Sequence, residues 1–179
     1  MLRGSQAFRA QLEQHRTSLF RLAYAWSHDR ALADDLAQEA LAKGLQHAEQ
    51  LRDPERLRSW LFGILANCWR DHLRGLRPNV DIDSLDEECL PVCQETPDVA
   101  YGRAQTVALI RSAIARLPVG QRQVVTLVDL EELSYAEVAL ILAIPIGTVM
   151  SRLCRARYAL RDLLWQSEGA QPRRLRSAK

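Results

Sequence analysis

Ser134-Tyr135-Ala136-Glu137-Val138-Ala139-Leu140-Ile141-Leu142-Ala143-Ile144-Pro145-Ile146-Gly147-Thr148-Val149-Met150-Ser151-Arg152-Leu153-Cys154-Arg155-Ala156-Arg157 is the stretch on which the fold turns. Ser134 and Glu137 are spaced as a capping box, each side chain able to serve the other's backbone N–H at a helix start. The helix they open carries Val138, Ile141 and Leu142 on one face. Residues 143–147 then make a short break. Thr148 is placed to cap a last helix with Val149, Leu153, Ala156, Leu160 and Leu163 inward. Its opposite face carries Ser151, Arg152, Arg155 and, slightly around, Arg157. Two short helices joined by a tight turn, the second basic outside, read as a helix-turn-helix. A helix fits the major groove of DNA, where Arg bonds guanine bidentately. Thr148 and Ser151 can bond a phosphate or a base edge. A plain αα-hairpin with a solvated Arg face has the same spacing, so the pattern alone leaves both open.

The same 3.6-residue period runs through the rest of the chain, and no period-two strand emerges, so the fold class is all-α. Upstream, Val107, Ile110, Ile114 and Leu117 mark one helix that Pro118 stops, and Val124, Leu127 and Val128 mark another. These elements make a second domain, residues 99–168. The first domain, residues 1–75, opens with Leu12, Leu19, Leu22 and Trp26 at helical spacing. His28-Asp29 breaks that pattern. A helix beginning near Ala31 presents Leu32, Leu36, Ala40 and Leu41, with Asp34 and Asp35 in its first turns, where they complement the helix dipole. Arg52-Asp53-Pro54 marks a loop. A helix from about Leu57 presents Trp60, Leu61, Ile64, Leu65 and Cys68, and Gly75 and Pro78 end it.

Residues 76–98 hold Pro78, Pro91 and Pro97 among acids and too little apolar surface for a core, so a flexible acidic linker is expected. Between Asn79 and Gly102 lie seven of the chain's 22 acids and none of its 24 basic residues. Two basic segments around an acidic one suggest a protein for polyanions, although a solvated charge run looks the same by composition. Residues 169–179 form a basic tail with Arg173, Arg174, Arg176 and Lys179. No apolar run is long enough to span a bilayer, and the first residues lack a signal-peptide core, so a cytoplasmic protein without membrane insertion is expected. Cys68, Cys89, Cys93 and Cys154 then read as free thiols.

Five segments carry a resemblance. Residues 117–124 (Leu-Pro-Val-Gly-Gln-Arg-Gln-Val), residues 134–139 and residues 144–157 closely resemble the fourth conserved region of extracytoplasmic-function sigma factors. Asp34-Asp35-Leu36-Ala37-Gln38-Glu39-Ala40-Leu41 resembles the polymerase-binding helix of the second region. Ser59-Trp60-Leu61-Phe62-Gly63-Ile64-Leu65-Ala66-Asn67, followed by Arg70-Asp71 and Arg74, resembles its promoter-melting segment. The matches cover most of the chain in the family's order. The resemblance implies a non-enzymatic initiation factor with no cofactor, whose partners are core RNA polymerase, promoter DNA and an anti-sigma protein, the last able to hold it at the inner membrane. It implies a polymerase-binding face of Asp34, Asp35, Gln38 and Glu39. It places Arg52, Arg56, Trp60, Asn67, Arg70 and Arg74 at the minus-ten element. Thr148, Met150, Ser151, Arg152, Cys154 and Arg155 go to the minus-thirty-five element.

Flipped-base reading and stacking on Trp60 are physically apt, but Trp60 also sits four residues before Ile64, a core spacing. Three residues depart from the family pattern. Met150 stands where Lys or Arg is usual, Cys154 is small, and Glu132 occupies a place where Gly is common. Cys68, His72, Cys89 and Cys93 could supply four zinc ligands, against a buried Cys and a chance pair. No metal site is expected. No arrangement of His15, His28 or His47 suggests nucleophilic catalysis, and no glycine-rich phosphate loop is present. A stand-alone DNA-binding regulator is the alternative, and it accounts only for the second half of the chain.

Overall fold

The structure is a computed structural model and describes residues 6–76 and 103–169. The acidic linker, with Cys89 and Cys93, and the end of the basic tail lie outside the described residues. The described residues form helices throughout and no strand.

The first half comprises α1 (Gln6–Gln14), α2 (Arg16–Ser27), α3 (Arg30–Gln46) and α4 (Leu57–Leu76). The reversal between α2 and α3 uses two local devices. His28 takes the left-handed conformation (φ 53°) and donates its N–H to the Tyr24 carbonyl, ending α2. The Asp29 carboxylate then accepts from the N–H groups of Ala31 (2.8 Å) and Leu32 (3.1 Å), starting α3. Two 3-10 turns (Ala48–Gln50 and Pro54–Arg56) lead to α4, with Asp53 capping the second and Pro54 at its first position. Leu19, Leu22, Trp26, Leu61, Phe62 and Leu65 fill the core between these helices. At Gly44, α3 comes so close to α4 that a Cβ would stand 2.9 Å from Leu61 Cδ2 and 3.7 Å from the Trp60 ring.

The second half comprises α5 (Arg103–Ala115), α6 (Val119–Val125), α7 (Tyr135–Leu142) and α8 (Ile146–Gly169). A π-turn over Thr126–Leu130 prolongs α6 and closes with the Glu131 N–H on the Thr126 carbonyl. The capping box at α7 forms in both directions: Ser134 Oγ accepts from the Glu137 N–H (3.3 Å), and Glu137 Oε2 accepts from the Ser134 N–H (2.9 Å). The Ser134 hydroxyl bond, and then its backbone bond, hold the Glu137 carboxyl below its usual pKa. Ala143, left-handed at φ 55°, ends α7. Val124, Leu127, Val138, Val149, Leu153 and Ala156 make the core.

Two expectations need correction. Helix α8 begins at Ile146, and the Thr148 N–H already bonds the Pro145 carbonyl (2.9 Å), so Thr148 lies in the first turn rather than at the cap. Pro145 flanks that earlier start, its carbonyl accepting from the N–H groups of Thr148 and Val149. On α5, Ile114 is buried, but Val107 and Ile110 are 44% and 39% exposed, because only the C-terminal end of α5 is packed into the core.

Glu132 has φ 56° and an exposed side chain. A left-handed non-glycine residue costs about 1–2 kcal/mol, against about 0.5–1 kcal/mol of extra chain entropy for glycine. Glu132→Gly is therefore expected to raise stability by about 0.5–1 kcal/mol. An unchanged urea midpoint would contradict this.

The buried apolar residues of the two halves belong to one continuous cluster. Helix α2 packs on α5 and α6, and α4 packs on α7. His28 lies at this seam, buried, its ring beside Tyr24 and its Nε2 without a hydrogen-bond partner. Burial, and then the Arg122 charge, lower its pKa from 6.5 to about 4. The unfolded chain thus takes up a proton that the folded chain refuses. This contribution to stability is complete above pH 6.5 and is lost as pH falls toward 4, amounting to roughly 2 kcal/mol by pH 5. Urea unfolding of wild type and His28→Asn from pH 7.5 to 5 should show a shallower slope for the variant. Parallel curves would refute this origin.

Candidate nucleic-acid interface

Helices α7 and α8 meet at 104° across the Ala143–Pro145 turn, within the range of a helix-turn-helix. The outer row of α8 is Met150, Ser151, Cys154, Arg155 and Tyr158, all exposed, with Ile146 and Gly147 at its N-terminal end. Thr148 is half-buried. Ser151 Oγ donates to the Thr148 carbonyl (3.1 Å), and Arg155 Nε donates weakly to the Ser151 carbonyl (3.4 Å), leaving the guanidinium tip on the surface.

Arg152 departs from expectation. It is only 7% exposed and points inward rather than joining Ser151 and Arg155 on the outer face. It stands three residues after Val149 and four before Ala156, both fully buried, and shares their face of the helix. Arg157 is bonded to Asp129 through Nε (3.1 Å) and Nη2 (2.5 Å), which ties α8 to the π-turn. Arg155 is thus the one arginine of the expected set that the described structure leaves on the outer face. Met150, 54% exposed, adds an apolar side chain to that surface.

On the first half, α4 presents Asn67, Arg70 and Arg74 along one face, three and four residues apart. Arg70 Nη1 donates to Asn67 Oδ1 (2.8 Å), and its Nη2 donates to the Leu142 carbonyl at the end of α7 (2.9 Å). Arg74 pairs with Asp71 (3.3 Å) on the surface. Arg52 and Arg56 are exposed, and Arg56 lies 3.6 Å from Asp53. Trp60 is half-buried and packed on the core against Gly44, which favours the core reading of its spacing.

The acidic face of α3 stands open. Asp35, Gln38 and Glu39 are exposed and Asp34 half-buried. Asp34 accepts from Arg16 (3.3 Å) and from Gln38 Nε2 (2.7 Å), which orients the Gln38 amide. Glu39 pairs with Lys43 (2.8 Å). A groove of about 400 Å³ runs beside this face, lined by Leu12, Gln38, Leu41 and Leu45 between Arg9 and Arg16. Of the four residues weighed as zinc ligands, Cys68 is buried with its thiol pKa raised, chiefly by burial, and His72 stacks on Trp69. Among the described residues no group of His, Cys, Asp and Glu could hold a metal ion.

The structure adds residues that the motifs did not single out. Arg122 is 1% exposed. Its Nη1 donates to the Trp26 carbonyl (2.6 Å), and its Nη2 to the carbonyls of Ala115 (2.6 Å) and Leu117 (2.9 Å). One guanidinium thereby caps the C-terminal ends of α2 and α5, where the helix dipoles favour a cation. The Trp26 indole donates to Thr126 Oγ1 (2.9 Å), and Arg58 pairs with the buried Glu131. The signal for Arg122 was present: it stands three residues after Val119 and four before Thr126, on the inner face of α6.

Comparison with known proteins places these surfaces in a family. The model for Sigma-70 region 2 matches residues 12–78, and that for Sigma-70, region 4, matches residues 108–160. The RNA polymerase sigma-H factor of Pseudomonas aeruginosa is 32% identical over 87% of this chain and 84% of its own length. The ECF RNA polymerase sigma factor SigM of Mycobacterium tuberculosis is 34% identical over 88% of this chain and 77% of its own. SigE of Mycolicibacterium smegmatis is 33% identical, and there the match spans 63% of the relative's length. Among solved structures, the sigma factor RpoE in complex with the anti-sigma factor NepR from Bartonella quintana superposes with a TM-score of 0.72. That match has 26% identity and covers 90% of this chain and 98% of RpoE. CnrH in complex with the cytosolic domain of CnrY gives 0.64, with 26% identity and 91% of both chains covered. With a region 2 and a region 4 in sequence, and relatives matched over most of their length, the chain belongs to the extracytoplasmic-function group of the sigma-70 family of RNA polymerase sigma factors.

Proposed function

We propose that this chain docks on core RNA polymerase through the α3 face and directs it to promoters read by both halves. The observation that carries this reading is the coexistence, in one chain, of an exposed Asp35–Gln38–Glu39 face and a helix-turn-helix with an exposed Arg155. A stand-alone regulator needs only the second. Residues 1–75 act as region 2 and residues 99–168 as region 4. Region 2 binds the minus-ten element through Arg52, Arg56, Asn67, Arg70 and Arg74, with Trp60 supporting them from the core. Region 4 enters the major groove of the minus-thirty-five element with the N-terminal half of α8. Thr148, Met150, Ser151, Cys154 and Arg155 line that helix. Arg152 supports it from within. The chain itself performs no chemistry.

An anti-sigma protein is the proposed regulator, supported by the whole-chain likeness to two sigma factors solved with partners. Size-exclusion chromatography with core polymerase tests the docking claim: a one-to-one complex is expected, and separate elution would refute it. Within the complex, Arg155→Ala is expected to weaken duplex binding by about 1–3 kcal/mol and to relax base preference at one position. Retained preference would place that guanidinium on a phosphate.

A further inference from the structure

We propose that α8 reads its upstream box chiefly through thymine methyl groups, with Met150 and Cys154 as the reading side chains and Arg155 supplying one guanine contact. The proposal rests on the functional reading above, which takes α8 into the major groove, and adds the class of sequence that groove must display. Successive helix residues turn by about 100°, so residues four apart lie about 40° apart around the axis. Ile146, Met150 and Cys154 therefore form one edge of the outer face of α8, and Ser151 and Arg155 form the other. Ile146 is 51% and Met150 54% exposed, and Cys154 is exposed. At Gly147, between the two edges, a Cβ would meet nothing within 4 Å, so the surface is open to close approach. One turn beyond Cys154 the strip ends at Tyr158, whose ring lies under the Arg161 guanidinium at 4.5 Å.

The base edges decide what such a strip can meet. In the major groove every base presents hydrogen-bonding groups, and thymine alone adds an apolar one, its methyl. Met150 set against any other edge strips water from a donor or acceptor and returns no hydrogen bond. The same side chain against a thymine methyl buries two apolar surfaces together. The cations that would draw the readout toward guanine are withdrawn: Arg152 is buried, and Arg157 donates to Asp129. Arg155 remains at the opposite edge. Met150 and Cys154 are about 6 Å apart along the axis, close to two base-pair steps. The unbranched thioether chain of Met150 adapts to an irregular surface, and Cys154 acts as a small apolar group beside it.

The full chain is assembled with core polymerase, and its upstream box is selected from a randomised duplex library. Each thymine of that box, on either strand, is then replaced singly by deoxyuridine, which lacks the methyl and keeps every hydrogen-bonding group. The box is expected to hold thymine within about two base-pair steps of a guanine. Deoxyuridine there should weaken binding by about threefold to fourfold, as expected for one buried methyl. Met150→Gln keeps the length of the side chain and should abolish the difference between thymine and deoxyuridine at one position. Cys154→Ser should do the same at a neighbouring one. Arg155→Ala should lose the guanine preference and keep the methyl dependence.

A box without thymine, or deoxyuridine equal to thymine at every position, would overturn the proposal. So would a methyl dependence unchanged in both Met150→Gln and Cys154→Ser, which would assign the methyl's effect to DNA shape and leave the strip to a protein surface. If no upstream box were enriched at all, the functional reading would fall and the proposal with it. An enriched box indifferent to the methyl would sink the proposal alone.

Discussion

Arg122→Met is expected to destabilise the folded chain by about 3–5 kcal/mol. The side chain is 1% exposed, and its guanidinium supplies donors to three backbone carbonyls, those of Trp26, Ala115 and Leu117. Methionine matches much of the volume and gains some apolar contact, which in a buried ion pair can offset the loss when both partners are replaced. Here the partners are main-chain oxygens at helix ends and cannot be replaced. Each would be left without a donor, at about 1–3 kcal/mol apiece unless water reaches it. Arg122→Lys keeps a charge but not the fork, so it should fall between the two. The check is urea unfolding of the full chain. Arg155→Ala serves as reference, because its exposed site should move stability by less than about 0.5 kcal/mol. An Arg122→Met midpoint equal to wild type would mean that the two helix ends find other donors.

The second large effect is on activity. Gln38→Ala with Glu39→Ala is expected to reduce polymerase-dependent transcription by more than about tenfold, the loss of one interface hot spot. Both side chains are exposed. The one ion pair removed, Glu39 with Lys43, is a surface pair at 2.8 Å that contributes about 0–1 kcal/mol. The fold should therefore survive, and a circular dichroism melt would confirm that the lost activity is a lost contact. Gln38 also bonds Asp34 at 2.7 Å, so Asp34→Asn should give a smaller defect through misplacement of the amide. Unchanged core-polymerase affinity in the double variant would move the docking surface elsewhere on region 2.

Much of this was legible in the chain. The Ser134–Glu137 capping box, the Pro145 break and the Val149–Leu153–Ala156 stripe are local patterns, and local backbone chemistry decided them. The α2–α3 reversal was legible as a break at His28-Asp29 for the same reason. What the pattern missed is what depends on distant partners. Arg152 looked like a surface arginine because its neighbours Ser151 and Arg155 are, yet packing within the second half buries it. Val107 and Ile110 looked like core by period, but no element reaches that end of α5 to cover them among the described residues. Glu132, noted only as an unusual residue, turned out to occupy a left-handed position, which is why glycine suits that place. The seam was not legible, because Trp26 and Thr126, a hundred positions apart, each read as core of their own half.

The central claim is that one chain joins polymerase docking to promoter reading. In vitro transcription with purified core polymerase over a randomised promoter library, followed by sequencing of the transcripts, tests it most directly. The account predicts starts that appear only when this chain is added, downstream of two enriched boxes, with Arg155→Ala altering the upstream one. Starts identical to those of core polymerase alone would contradict it.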